Sequence, residues 1–373
     1  MKLKFIILLQ LVVLTGFGQD LPVDKKATTE TKNLYRNLKK LMKKGTMFGH
    51  QDDLAYGLNA DQTRWVGEVN KSDVKSVTGQ FPAVFGWDLG GLEMDQSENL
   101  DGVPFSEMKK NIVEIYQRGG VNTISWHFRN PLDPKKSAWD KQDSTIGNIL
   151  RNKEALKNYT NWLDKMAVFV SDLKGPKGEF IPVIFRPFHE HTGSWFWWGK
   201  NHCSPEEYKH FWQFTVNYLK NVKNIHNLIY AYSTDVFSSK EEYLERYPGD
   251  EYADLLGFDT YHRNAPGSNE TFIKNTRRML SDLHEINQKS NKIIAITETG
   301  LERLTEEKWW TNILLPILQG NDVSYVLVWR NGRPDHFYAP YPGQASAADF
   351  VDFSRNPGIF LEKKTRTESL YKK

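Results

Sequence analysis

Eight short apolar runs with longer amphipathic stretches between them constrain this chain more than any other feature. The runs fall at 46–50, 83–88, 121–127, 180–186, 227–233, 255–261, 292–297 and 324–329. Helical patterning lies between them at 105–118, 153–173, 205–224, 271–287 and 306–318. Ser204 before Pro205 is a good helix start, because Ser caps the free N–H groups and Pro fits the first turn. Strands alternating with helices imply parallel crossovers. Eight such units predict an α/β fold, a single-domain (β/α)8 TIM barrel. A doubly wound open sheet is the competing arrangement, but no Gly-x-Gly-x-x-Gly follows the first run.

The 373 residues are 39% hydrophobic, enough for a sizeable core. A formal net charge of +3, without long single-sign blocks, gives no attraction for nucleic acid or an acidic membrane. Lys2 and Lys4 precede an apolar run from Phe5 to Leu14, and Gly16-Phe17-Gly18 follows. This reads as a cleavable signal peptide over 1–18, too short to span a bilayer. The expected order is then an N-terminal extension and helix at 19–44, a catalytic barrel at 45–360, and a polar, frayed C-terminal tail at 361–373. Cys203 is the only cysteine, so there is no internal disulfide and no lipid-anchor cysteine near the signal. A monomer, periplasmic or secreted, without a membrane anchor, is expected.

The chemistry concentrates at 186–199, Arg-Pro-Phe-His-Glu-His-Thr-Gly-Ser-Trp-Phe-Trp-Trp-Gly. The apolar run before it delivers Glu190 to the carboxyl end of a strand, where α/β barrels carry their active sites. Dense aromatics beside a positioned acid suit a site that stacks on sugar rings and protonates a glycosidic oxygen. His50, Asp88, His127, Tyr261, Glu298 and Trp329 also stand at the ends of runs, suggesting one shared face. At about 30 residues per unit, Glu190 and Glu298 lie three units apart and nearly opposite each other. Retaining glycosidases need two carboxyls about 5–5.5 Å apart. Phe188, Trp195 and Trp197 suit Glu190 to the acid role, since apolar walls keep a carboxyl protonated. Glu298 would be the ionised nucleophile, with Tyr261 placed to orient it.

In these motifs the chain resembles glycoside hydrolase family 26, whose best-known members are β-1,4-mannanases. The pieces are Gly49-His50-Gln51, Gly86-Trp87-Asp88, Trp126-His127, the 186–199 run, Gly257-Phe258-Asp259-Thr260-Tyr261, Thr297-Glu298-Thr299-Gly300 and Trp329-Arg330-Asn331. His189, where many related barrels have Asn, points to this family. The resemblance implies a (β/α)8 barrel and a retaining double displacement on β-mannan or manno-oligosaccharides. It makes Glu190 the acid/base and Glu298 the nucleophile. It implies that His127, His189, Trp195, Tyr261 and Trp329 line the subsites, with His189 bonding the axial 2-hydroxyl of mannose. Tyr232-Ser233-Thr234-Asp235 departs from the Tyr-Ser-Pro-Asp expected there. The resemblance leaves open internal cleavage, release of mannobiose from chain ends, and the rarer β-glucan or β-1,3-xylan activities.

Two other classes compete. His189, Glu190, His191 and His202 invite a metal reading, but His-Glu-His-Thr-Gly lacks the His-Glu-x-x-His spacing. No metal and no cofactor are expected. A barrel that binds sugar without turnover is the other, since fold alone does not prove activity. The presence of both glutamates argues against it.

Overall fold

A computed structural model describes residues 20–263, 265 and 267–373; the expected signal peptide at 1–18 lies outside them. Eight strands run β1 Thr46–Gln51, β2 Val84–Asp88, β3 Val121–Ser125, β4 Val183–Arg186, β5 Leu228–Thr234, β6 Leu255–His262, β7 Ile293–Leu301 and β8 Tyr325–Val328. Each pairs in parallel with the next, and β8 pairs with β1 to close the ring. A short ninth strand, Ile359–Phe360, joins the start of β1. All eight expected strands are present, with ends shifted by a few residues.

Alternation of side chains sorts the strands into two cores. Inward Val84, Val121, Ile184, Ala231, Leu255, Ala295 and Leu327 fill the lumen, in one cluster with Leu34, Leu38 and Leu41 of the helix Thr29–Leu41. That helix therefore lies under the barrel floor and closes the end opposite the active face. Outward Phe85, Trp87, Phe185, Tyr230 and Phe258 pack beneath the surrounding helices.

The helix Pro205–Asn217 starts with the expected Ser204 cap, completed as a reciprocal box by Glu207. Expected helix 306–318 is less regular. A π-helical turn, Trp310–Leu314, precedes a short α-helix, Leu315–Leu318. Pro316 explains it: without an N–H it cannot bond the carbonyl four residues back, and its ring crowds that carbonyl.

The C-terminal segment corrects the expectation of a frayed tail. Glu362–Thr367 is helical, and Leu370 is buried. The Tyr371 hydroxyl donates to the Gly120 carbonyl at 2.6 Å. Asn33 and Asn37 of the floor helix donate to the carbonyls of Tyr371 and Leu370. Two apolar anchors outweigh the lysines around them. Among the described residues, no helix is long and apolar enough to cross a membrane.

Candidate active site

The inward positions turn polar at the carboxyl ends of the strands. Asp88, Ser125, Arg186, Ser233, Asp259 and Thr297 are all buried there. Arg186 at the end of β4 is their hub. One arm donates to Asp259 at 2.9 Å and the other to Glu298. Ser233 and Thr297 hold the second oxygen of Asp259 at 3.0 and 2.6 Å. Burial opposes the guanidinium charge, but the two carboxylates outweigh it and hold Arg186 above its ordinary range.

Glu298 owes its direction to a bulge. On β6, Phe258 pairs with Ile296 but Asp259 pairs with Glu298. On β8, Val326 pairs with Ile296 and Val328 with Thr299. Against both neighbours β7 carries an extra residue at Thr297. Strict alternation would send Thr297 and Glu298 to opposite faces; the bulge lets both reach the mouth. The Tyr261 hydroxyl donates to Oε2 of Glu298 at 2.8 Å. Burial and the nearby carboxylates of Glu298 and Glu190 push the phenol well above its usual range, so it remains a donor.

Glu190 lies on the segment that leaves β4. That segment is coiled, not extended. Phe188 and Glu190 have φ of 49° and 54°, a region that costs non-glycine residues about 1–3 kcal/mol each. Packing holds it there. The Glu190 N–H donates to the Ser233 carbonyl at 3.1 Å, and Tyr208 and Trp198 donate to the carbonyls of Phe188 and His189. Trp197 and Trp198 are fully buried, and Phe188 belongs to the core. Of the four aromatics after Glu190, Trp195 is the exposed one, at 37%, and its indole N–H donates to Oε2 of Glu190 at 2.6 Å. Burial pushes Glu190 well above the usual carboxylate range, and Asp259, Glu298 and Asp235 add to it against the Trp195 bond.

His127 and His189 form a relay beneath the mouth. His127 Nδ1 meets Asp88 at 2.7 Å and its Nε2 meets Nε2 of His189 at 3.1 Å. Burial lowers His127, but Asp88 more than compensates and raises it. Burial, with Arg186 and His127, holds His189 well below its ordinary value. Asp88 thus favours the charged form of His127, while His189 is held neutral and shares a single Nε2–Nε2 hydrogen bond with it.

A cleft of about 570 Å³ opens above, lined by Glu190, Trp195, Tyr261, Glu298 and Trp329 among others. His127 and His189 are not among its lining residues. Nε2 of His189 is taken by His127 and its Nδ1 is buried without a partner, so neither nitrogen is presented to the cleft for the expected bond to a sugar hydroxyl. His50 is a plain correction. Parity turns it outward from β1, where Asp53 takes its Nδ1 at 2.8 Å. Arg186 and Asp259 stand within the motifs, yet the sequence alone does not mark them as site residues. Counting back two positions from Tyr261 along β6 reaches Asp259 on the same face.

One carboxylate oxygen each of Glu190, Asp259 and Glu298 lies within 4.8 Å of the others. Such a trio could converge on a cation. Here Arg186 supplies positive charge to two of the three.

The sequence profile of glycosyl hydrolase family 26 matches residues 23–304. The chain belongs to glycosyl hydrolase family 26. A mannan endo-1,4-β-mannosidase of Bifidobacterium adolescentis is 32% identical over 357 residues, 89% of this chain. This chain spans about a third of that relative's length, 34%. A solved structure of a family 26 β-mannanase from Bacteroides ovatus shares 46% identity with a TM-score of 0.87, covering 93% of this chain and 98% of that one. A family 26 protein from Muricauda sp. shares 33% identity with a TM-score of 0.82, covering 92% and 94%.

Proposed function

We propose that this chain is a retaining endo-β-1,4-mannanase that cleaves mannans by double displacement. The spacing of the two glutamates carries the reading. Carboxyls of inverting glycosidases stand about 6.5–9.5 Å apart to admit a water, and those of retaining enzymes about 5–5.5 Å. One oxygen of Glu190 lies within 4.8 Å of one oxygen of Glu298, which is compatible with the closer spacing. Glu298, oriented by Tyr261 and Arg186, attacks the anomeric carbon and forms a glycosyl ester. Glu190 gives its proton to the departing oxygen. It then takes a proton from water, which attacks the same carbon and frees Glu298. Trp195 and Trp329 offer faces for stacking on sugar rings. Mannan as substrate rests on the names of the relatives at 32% and 46% identity.

A product-length time course on linear β-1,4-mannan, with mixed-linkage β-glucan and β-1,3-xylan alongside, tests this. An early spread of manno-oligosaccharides is expected. Mannobiose alone from the start means a chain-end enzyme, and cleavage of another polymer in place of mannan discards the mannose preference. We also propose export to the periplasm or beyond, from the basic and apolar pattern of residues 1–18. Recovery of the mature protein in the cytoplasm would refute it.

A further inference from the structure

Double displacement uses Glu190, Glu298 and the groups that hold them, and leaves one cleft carboxylate without a task. Asp235 follows directly on β5, half-buried, and lines the cleft beside Val236 and Arg263. Its backbone is tied to the Glu190 loop. The Asp235 N–H donates to Oγ1 of Thr192 at 3.0 Å, and two residues earlier the Ser233 carbonyl accepts from the Glu190 N–H at 3.1 Å. Asp235 therefore stands on the same wall as the acid, at a position fixed relative to it. Its carboxylate lines the cleft with lone pairs for donors there. Val236 adds an apolar surface that is 50% exposed. The exposed guanidinium of Arg263 lies over the Tyr261 ring, 5.3 Å from its centroid, and attracts Asp235. An acceptor, a cationic donor and an apolar patch on one wall are what a sugar ring needs for orientation.

Sidedness follows from the chemistry. The sugar that stays behind becomes bonded to Glu298. The sugar that leaves departs from the oxygen that Glu190 protonates, and so passes along the Glu190 wall. We propose that Asp235, assisted by Arg263, forms the subsite for the leaving-group sugar and accepts hydrogen bonds from its hydroxyls. This rests on the glycosidase reading above and deepens it. In the second half-reaction the same subsite would hold a sugar acceptor in competition with water.

The test compares wild type, Asp235→Ala and Asp235→Asn on mannotetraose and on 4-nitrophenyl β-mannobioside. The aryl substrate fills the glycone side equally but presents no sugar to Asp235. Losing hydrogen bonds to a charged acceptor should lower kcat/KM for mannotetraose about 10–100-fold in the Ala variant. The loss on the aryl substrate should be several-fold smaller, and Asn should fall between. The ratio of transfer onto added mannobiose to hydrolysis should fall in parallel, which a merely structural defect would not cause. Equal losses on both substrates, or an unchanged ratio in both variants, overturn the assignment alone. Wild type that turns over neither substrate overturns the mannanase reading and this inference with it.

Discussion

The indole N–H of Trp195 bonds Oε2 of Glu190 at 2.6 Å, and so decides which oxygen of the acid is left to carry the proton. Oε1 is the remaining candidate. The same bond favours the ionised form, against burial and three neighbouring carboxylates. Trp195→Phe keeps an aromatic face and removes the donor. The alkaline limb of kcat/KM, which reports loss of the acid's proton, should then move to higher pH. A pH–rate profile on an aryl β-mannobioside checks the direction. A limb displaced to lower pH would place the Trp195 bond outside the control of Glu190.

Holding Glu190 protonated has a cost in stability, and the sign can be worked out. Its folded pKa is raised above the unfolded value near 4.3. Between those two values the native state binds more protons than the unfolded state, so stability falls as pH rises. Below the unfolded value both states are protonated and the penalty is absent. Glu190→Gln keeps the shape and removes the titration. The variant should melt above wild type at pH 8, by roughly 1–2 °C for each kcal/mol recovered in a domain of this size, with the difference vanishing near pH 4. Thermal melts across that range settle it, and a Tm difference independent of pH would contradict the argument.

The barrel was legible because parallel strands buried on both faces leave apolar runs that survive in one dimension. The pair Glu190 and Glu298 was legible because each follows such a run. The Thr297 bulge was not, since an extra residue in a strand changes pairing without changing composition. His50 was misjudged for a related reason: a residue at a strand end points inward or outward by parity, and parity needs the register. The aromatics after Glu190 announced a site, but their sequence order could not say which ring faces sugar. Packing gave Trp195 to the cleft and Trp197 and Trp198 to the core. The C-terminal segment was misread because two buried side chains, Leu370 and Tyr371, decide the fate of a mostly charged stretch.

Gly300 supports the nucleophile from behind. It sits at φ +145°, and a Cβ there would come within 2.5 Å of the Tyr338 ring. Tyr338 meets Tyr261 edge-on at 5.6 Å, and Tyr261 orients Glu298. Gly300→Ala should therefore destabilise the fold by about 1–3 kcal/mol and also displace the Tyr261 hydroxyl. Urea unfolding with kcat measured on the folded variant separates the two effects. Lost stability with wild-type kcat would mean that Tyr338 yields without moving Tyr261.

Removing the nucleophile should create an anion site. In Glu298→Ala the carboxylate disappears, while the Arg186 arm and the Tyr261 hydroxyl that served it remain pointed into the space. A buried guanidinium that loses one of its two carboxylate partners is left partly uncompensated, and a small anion restores the balance. Hydrolysis of both polysaccharide and aryl glycoside should fall by several orders of magnitude, because no glycosyl ester can form. Azide or formate should restore turnover of an aryl β-mannoside with a good leaving group. Azide would attack from the side vacated by Glu298 and give the α-mannosyl azide. NMR of the product reads the anomeric configuration directly. A β-configured azide would place the attacking group on the Glu190 side and remove Glu298 from the nucleophile's role.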